Sequence, residues 1–405
     1  MLPCLANSRF VHCNCFVSHH TRLLSSMNSW FEFRLQLFKQ YSSIRLYVTA
    51  RMAGSSFSRF NRSASLPYGT QDVSRDDTDS SVSEQDKPSA MRGLMNYRLS
   101  CCVNALLQSF SATQELVDLL NTWNPDHKDK ESVPLELRET LLTMQSDQSH
   151  SVPPHQDFLH CLNRNAIRFY VQQDADEVFL SILNFIQQQM SNNTVAQKIQ
   201  CLYKVNVETY LQCIECKHTN TGTSFVLSLP LNIKESNNTL EDCLRFFFRL
   251  QELKDMDKCF CQRCGEKRPS KQGFKLISLP PVLCFHLKRF RNYHGYTRKL
   301  NCKVTFPETL NISDILTAEA LSQSYAHDND SQYSLYAVIV HIGEALFGHY
   351  TAYIRHHNDK SWYYADDSYV KQVTWEEVQT TYGGQRGGTA YMLLYRRTAK
   401  ESYSG

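Results

Sequence analysis

Nowhere in this chain do apolar residues run uninterrupted to the roughly eighteen that a membrane-spanning helix needs, so no insertion into a membrane is expected. The N-terminus lacks a compact apolar core followed by a small-residue cleavage site, which argues against a secretory signal. Net charge is equally scarce. The 43 Lys and Arg against 40 Asp and Glu leave +3, without the one-signed field that nucleic-acid binding imprints on a domain, so nucleic acid is set aside as a partner. No internal repeat is present. Cysteine, by contrast, is plentiful. The fifteen cysteines are spread over 405 residues rather than packed into a small secreted scaffold, so a reducing, intracellular compartment is expected, the cytoplasm first and the nucleus second.

The length admits one large domain with appended segments. Residues 1–51 carry six Lys or Arg and one acid, Glu32, among many Ser and aromatic residues. That is the composition of a transit peptide or of a variable leader, with Met52 as an alternative start. Residues 52–91 are rich in Ser and Asp with few large apolar side chains, and so are predicted to form a disordered linker. Beyond them the texture changes. Val103, Leu106, Leu107 and Phe110 recur at helical spacing, as do Val178, Phe179, Ile182 and Ile186. After about residue 200 the apolar residues fall into short runs: Phe225 to Leu231, Leu283 to Leu287, Tyr333 to Val340, Tyr350 to Ile354 and Ala390 to Tyr395. Helices followed by segregated strands predict an α+β domain rather than a doubly wound sheet.

Three constellations can carry chemistry. Cys101 or Cys102 stands at the first turn of the first striped helix, where unpaired N–H groups and the positive end of the dipole favour a thiolate; a lone cysteine there is equally a small buried hydrophobe. Partners for a nucleophile lie far along the chain. His349 opens one predicted strand, and Asp366-Asp367 closes the strand that follows, which suits a base and its orienting carboxylate. Second, Cys213-x-x-Cys216 and Cys261-x-x-Cys264 form two knuckles, the spacing of a closed four-cysteine zinc site; the alternative is reduced cysteines in unrelated turns. Zinc there would be structural, because four thiolates leave no position for water. Third, Asp174 and Glu177 stand three residues apart at a helix start, as a capping box or as a pair of carboxylates for a basic substrate.

Gly93 to Asn104 around Cys101, Gln172-Gln173-Asp174-Ala175, both knuckles, Leu279 to Phe290, His341 through Gly348-His349-Tyr350, and Ala390 to Tyr395 occur in one order. Together they resemble the ubiquitin-specific proteases over roughly residues 92–397. The resemblance implies a papain-like hand: a helical thumb over about 92–200, zinc-tipped β fingers over about 201–275, a β palm over about 276–397, then a tail, 398–405. It maps Cys101 to the nucleophile, His349 to the general base and acid, Asp366 to the residue that orients it, Asp367 to an auxiliary polar group and Asn96 to the oxyanion donor. Asp174, Glu177, His341 and Tyr350 map to the substrate's side of the cleft, and one structural zinc is the implied cofactor, with no organic group.

The Cys101-Cys102 pair, the Cys259-Phe260-Cys261 sequence and the short domain point within that family to the branch that removes the interferon-induced two-domain ubiquitin-like modifier. That branch also restrains type I interferon signalling, which implies the modifier and its conjugates, and the type I interferon receptor with its associated signalling protein, as partners. Arg98 stands where the family has Gly, three residues before the nucleophile, a position that can require positive φ. It leaves a catalytically weak scaffold as the alternative to an active isopeptidase, with a general deubiquitinase as a third reading.

Overall fold

The computed structural model describes residues 91–146, 155–168, 171–294, 296–325, 331–356, 360–384 and 387–398. The leader, the linker up to residue 90 and the tail beyond Thr398 lie outside the described residues. Among those described, six α-helices come first: α1 Cys101–Ser111, α2 Gln114–Thr122, α3 Val133–Gln145, α4 Gln156–Arg164, α5 Ala175–Gln189 and α6 Asn193–Tyr203. Local signals set their starts. The Ser132 hydroxyl accepts from Leu135 N ahead of α3, with Pro134 in its first turn; Asn192 caps α6 in the same way. The predicted stripe of α1 is buried, and Phe110 stacks on Phe179 of α5 at 5.6 Å, which in turn meets the edge of Tyr203 at 5.4 Å.

Among the described residues, most of the strands fall into two larger sheets, with three two-stranded pairs beside them. The finger sheet orders Thr219–Val226, Val205–Cys213, Ser270–Ser278 and Gln251–Leu253, all antiparallel, beside the two-stranded Cys259–Cys261 and Glu266–Arg268 hairpin. The palm is an eight-stranded sheet with Tyr369–Val373, Trp362–Asp366, Gly348–Arg355, Gln332–Gly343, Thr389–Arg397, Val282–Leu287 and Leu229–Leu231 in that order, and Thr309–Asn311 added to Gln332–Gly343. A finger boundary at residue 275 does not follow the sheets: Leu229–Leu231 pairs in parallel with Val282–Leu287 as a palm edge, and the helix Leu240–Phe248 interrupts the strand-rich half. The run Phe225 to Leu231 is correspondingly two strands, not one.

Side-chain alternation explains why the palm strands read as continuous apolar runs. Val282, Cys284, Met392 and Leu394 join the core shared with the thumb helices. Their neighbours Leu283, Phe285, Leu393 and Tyr395 join a second core on the opposite face. A strand buried on both faces has no polar positions to alternate with. No helix among the described residues is long and apolar enough to cross a membrane.

Candidate active site

The thumb and palm meet where α1 packs against the strand Gly348–Arg355. Cys101 is the first residue of α1 and Cys102 the second, both buried. Burial, then the neighbouring Cys101 and Asp174, push the Cys102 thiol well up, so it is a poor source of thiolate. The neighbouring Cys101 is instead the foremost cause lifting the His349 imidazole to about 9, followed by Asp366 against the opposing effect of burial. The two-residue choice left open by the sequence is thereby narrowed to the thiol that has a base.

Strand pairing delivers the acid. Gly348–Arg355 runs antiparallel to Trp362–Asp366, so the strand ends bring His349 and Asp366 together, Nε2 to Oδ1 at 2.6 Å. With Nε2 occupied, Nδ1 is the nitrogen left for the thiol. The second carboxylate oxygen of Asp366 accepts from the Tyr364 hydroxyl at 3.2 Å. Asp367, at φ 51°, turns away to do something else. Its Oδ2 accepts from Asn96 Nδ2 at 2.8 Å and its Oδ1 from Asn104 Nδ2 at 2.7 Å, tying the loop before Cys101 and the helix after it to the palm, 3.9 Å from His349.

That loop is held from several sides. Asn96 Oδ1 accepts from Ser100 N at 3.2 Å, Tyr97 N donates to Ser100 Oγ at 2.8 Å, and His155 Nε2 donates to Met95 O at 3.0 Å. Burial drives His155 down to about 4, so the neutral ring is the donor. Arg98 takes φ 67°: the position does require left-handed backbone, and this chain places a non-glycine residue in it, at about 1–2 kcal/mol. The anchors Ser100, Asn104, Tyr364 and His155 were not among the expected site residues. Asn104 alone had a sequence signal, its fixed register three residues after Cys101.

Asp174 is the N-cap of α5. Its Oδ1 accepts from Asp176 N at 2.9 Å and Glu177 N at 3.4 Å, while Oδ2 accepts from the buried Tyr391 hydroxyl at 2.5 Å. Asp176, the second residue of α5, pairs with His286 of the palm at 3.1 Å; against burial, which opposes both charges, the carboxylate lies below its ordinary range and the imidazole above its own, each because of the other. Glu177 is exposed. His341 on the neighbouring strand and Tyr350 on His349's own strand, both expected at the substrate, are 0 % and 1 % exposed with ring centroids 4.8 Å apart, so in this arrangement they support the site rather than line it. Burial, then Lys299 and His349, hold His341 neutral, at about 3.

At the fingertips, the Sγ atoms of Cys213, Cys216, Cys261 and Cys264 all lie within 4.8 Å of one another, with Cys216 and Cys261 at 3.4 Å. A tetrahedral Zn²⁺ with Zn–S bonds of about 2.3 Å needs sulfurs about 3.8 Å apart, so the number, type and clustering of these donors suit a metal ion. Cys259 lies outside this cluster, its thiol turned to Asp257 O.

A buried cysteine at a helix start, facing an imidazole–carboxylate pair across a thumb and a palm, defines a cysteine-type hydrolase of the papain-like kind. The ubiquitin carboxyl-terminal hydrolase profile matches residues 92–395, and the chain belongs to that family. It is similar to Ubl carboxyl-terminal hydrolase 18 of Homo sapiens, 35% identical over 322 residues, covering 77% of this chain and 86% of the relative. The Mus musculus protein of that name is 36% identical over 323 residues, covering 77% and 87%. Ubiquitin carboxyl-terminal hydrolase 47 of Drosophila melanogaster is 26% identical over 388 residues, covering 76% of this chain but 25% of the longer relative. The chain is thus a cysteine-type hydrolase acting on a ubiquitin-like modifier.

Proposed function

We propose that this protein is a thiol isopeptidase that removes the interferon-induced two-domain ubiquitin-like modifier from target lysines, and so lowers type I interferon signalling. The observation that carries the chemistry is the chain of contacts from Cys101 through His349 to Asp366. Substrate choice rests on the similarity to the Ubl carboxyl-terminal hydrolase 18 relatives. His349 takes the Cys101 proton, and the thiolate attacks the carbonyl of the modifier's terminal glycine. Asn96 gives one amide N–H to Asp367, leaving the other, with backbone N–H groups, for the oxyanion. His349 then protonates the departing lysine amine through Nδ1, and water resolves the thioester. Glu177, exposed on the first turn of α5, is the candidate for pairing with a basic modifier tail. The fingertip cysteines Cys213, Cys216, Cys261 and Cys264 would hold one zinc, which would stabilise the fingers and stay out of the chemistry.

The test is a covalent trap: ubiquitin and the two-domain modifier, each carrying an electrophilic C-terminus, are offered in parallel. An adduct on Cys101 with the two-domain modifier alone is the expected result; an adduct with ubiquitin alone reassigns the substrate, and none with either supports the scaffold reading. That second reading is favoured by the positive φ of Arg98 beside the oxyanion loop. Arg98→Gly distinguishes them, since it raises trapping manyfold if strain there suppresses activity and leaves it unchanged otherwise.

A further inference from the structure

His349 is the second residue of its strand, next to a hairpin tip, where the sheet has little left to hold it. In the antiparallel pair it stands opposite Ile342, with Gly343 opposite Gly348 as the last rung. Beyond that rung the chain turns through Gly343 at φ 88° and a bond from Glu344 N to Phe347 O of 3.1 Å, and Phe347 at the tip is 84 % exposed. An end rung of this kind frays unless something outside the ladder secures it.

Lys299 supplies that. It ends the strand Tyr296–Lys299 and is only 4 % exposed, and its Nζ donates to His341 O at 2.7 Å and to Gly343 O at 3.0 Å. These two carbonyls flank Ile342, the residue facing His349. The same strand is braced from behind by the His341 ring. That ring sits so close under Gly348 that a Cβ there would lie 2.2 Å from its Nε2, and it meets the edge of Phe290, the strand partner of Lys299, at 5.0 Å. Burying an ammonium is costly, and Lys299 is held down to about 8 by burial and Arg289, with Glu344 opposing. An apolar side chain of the same length would avoid that cost but could make neither of these two bonds.

We infer that Lys299 is a positioning residue for His349: by pinning the carbonyls of His341 and Gly343 it fixes the rung that carries the imidazole to Cys101. This rests on the reading of Cys101 and His349 as the reacting pair. Lys299→Met removes both donors and keeps the apolar stem. The readouts are steady-state cleavage of the modifier and the pH dependence of Cys101 carboxamidomethylation, followed by mass spectrometry of the Cys101 peptide. Expected are a kcat at least about tenfold lower with KM within about threefold, and an acid limb of Cys101 alkylation displaced upward by about half a pH unit or more, as the thiol loses its imidazole.

Tyr333→Phe is the control for stability alone. It loses the 2.6 Å hydrogen bond to Pro280 O at the far end of the same long strand, and should lower Tm without moving the alkylation profile. If Lys299→Met does not fold, Lys299→Gln, which retains two donors on a shorter stem, carries the same reading with a kcat at least about threefold lower. A Lys299 variant that is folded, with wild-type kcat and alkylation profile, overturns the inference. A wild-type protein whose Cys101 shows no acid limb distinct from its other thiols refutes the proposed function instead.

Discussion

Replacing Asp174 by Asn changes one atom of a side chain whose two oxygens face different partners. Oδ1 caps α5 through the N–H groups of Asp176 and Glu177, and Asn caps about as well as Asp, so that end of the contact is nearly neutral. Oδ2 accepts from the Tyr391 hydroxyl inside the palm. In the variant an NH2 faces that hydroxyl, which must reverse to accept and then lacks an acceptor for its own proton. A charge-assisted bond worth about 1.5–3 kcal/mol becomes at best a neutral one worth about 0.5–1.5, a net loss of about 1–2 kcal/mol. For a domain of roughly 300 residues, with an unfolding entropy of about 2.1 cal/mol/K per residue, that is a fall in Tm of about 2–3 °C. Tyr391→Phe should reproduce it, because it breaks the same strut from the palm side and leaves the carboxylate charge in place. Cleavage should fall equally on a modifier with its native tail and on one whose tail arginines are neutral. If instead Asp174→Asn melts like the wild type, loses about tenfold in kcat/KM on the native tail only, and Tyr391→Phe is fully active, the strut argument is wrong and Asp174 pairs with the tail.

Cys101→Ser should abolish cleavage in a folded protein, whereas Cys102→Ser should keep most of it; equal inactivity of two folded variants would contradict the assignment of the nucleophile. Cys213→Ser or Cys264→Ser should release about one zinc per chain and lower Tm, while Cys259→Ser should keep the metal, all three checked by metal analysis of purified protein. The His349 pKa is raised, so its stabilisation is complete below the ordinary value of 6.5 and disappears as pH rises through about 9. Loss of the imidazolium should accordingly appear as an alkaline limb of kcat/KM near pH 9, moving to lower pH in Asp366→Asn; a limb that does not move would show that Asp366 leaves the imidazole's basicity untouched.

Apart from the His349 and Asp366 pair on neighbouring strands, what the residues themselves made legible was whatever is encoded within one helix turn or one knuckle. Asp174 as a cap, the stripe of α1 and the two-residue spacing of the metal-site cysteines are local patterns with local causes, and each stands where expected. The site's supports were not legible for the opposite reason. Asn104 reaches Asp367 across 263 positions and Asp174 reaches Tyr391 across 217, so no spacing rule connects them until the palm strands are in register.

His341 and Tyr350 show a subtler failure. Their place in the box around His349 suggested contact with substrate, yet both side chains are buried in the palm while their neighbour His349 stays partly open. The continuous run Tyr333 to Val340, leading directly into His341, already carried that information. A polar residue prolonging a two-sided apolar strand is an interior residue, and its chemistry is spent on its neighbours. The same reasoning applies to the loop before Cys101. Arg98 at positive φ is tolerated because Ser100, Asn96, Asp367 and His155 over-determine the backbone around it, and each of these bonds must be lost before the strain can relax. The loop's geometry is therefore a property of two long-range contacts, Asn96 to Asp367 and His155 to Met95, and one local bond, Ser100 to Asn96, not of the residue that departs from the family's pattern.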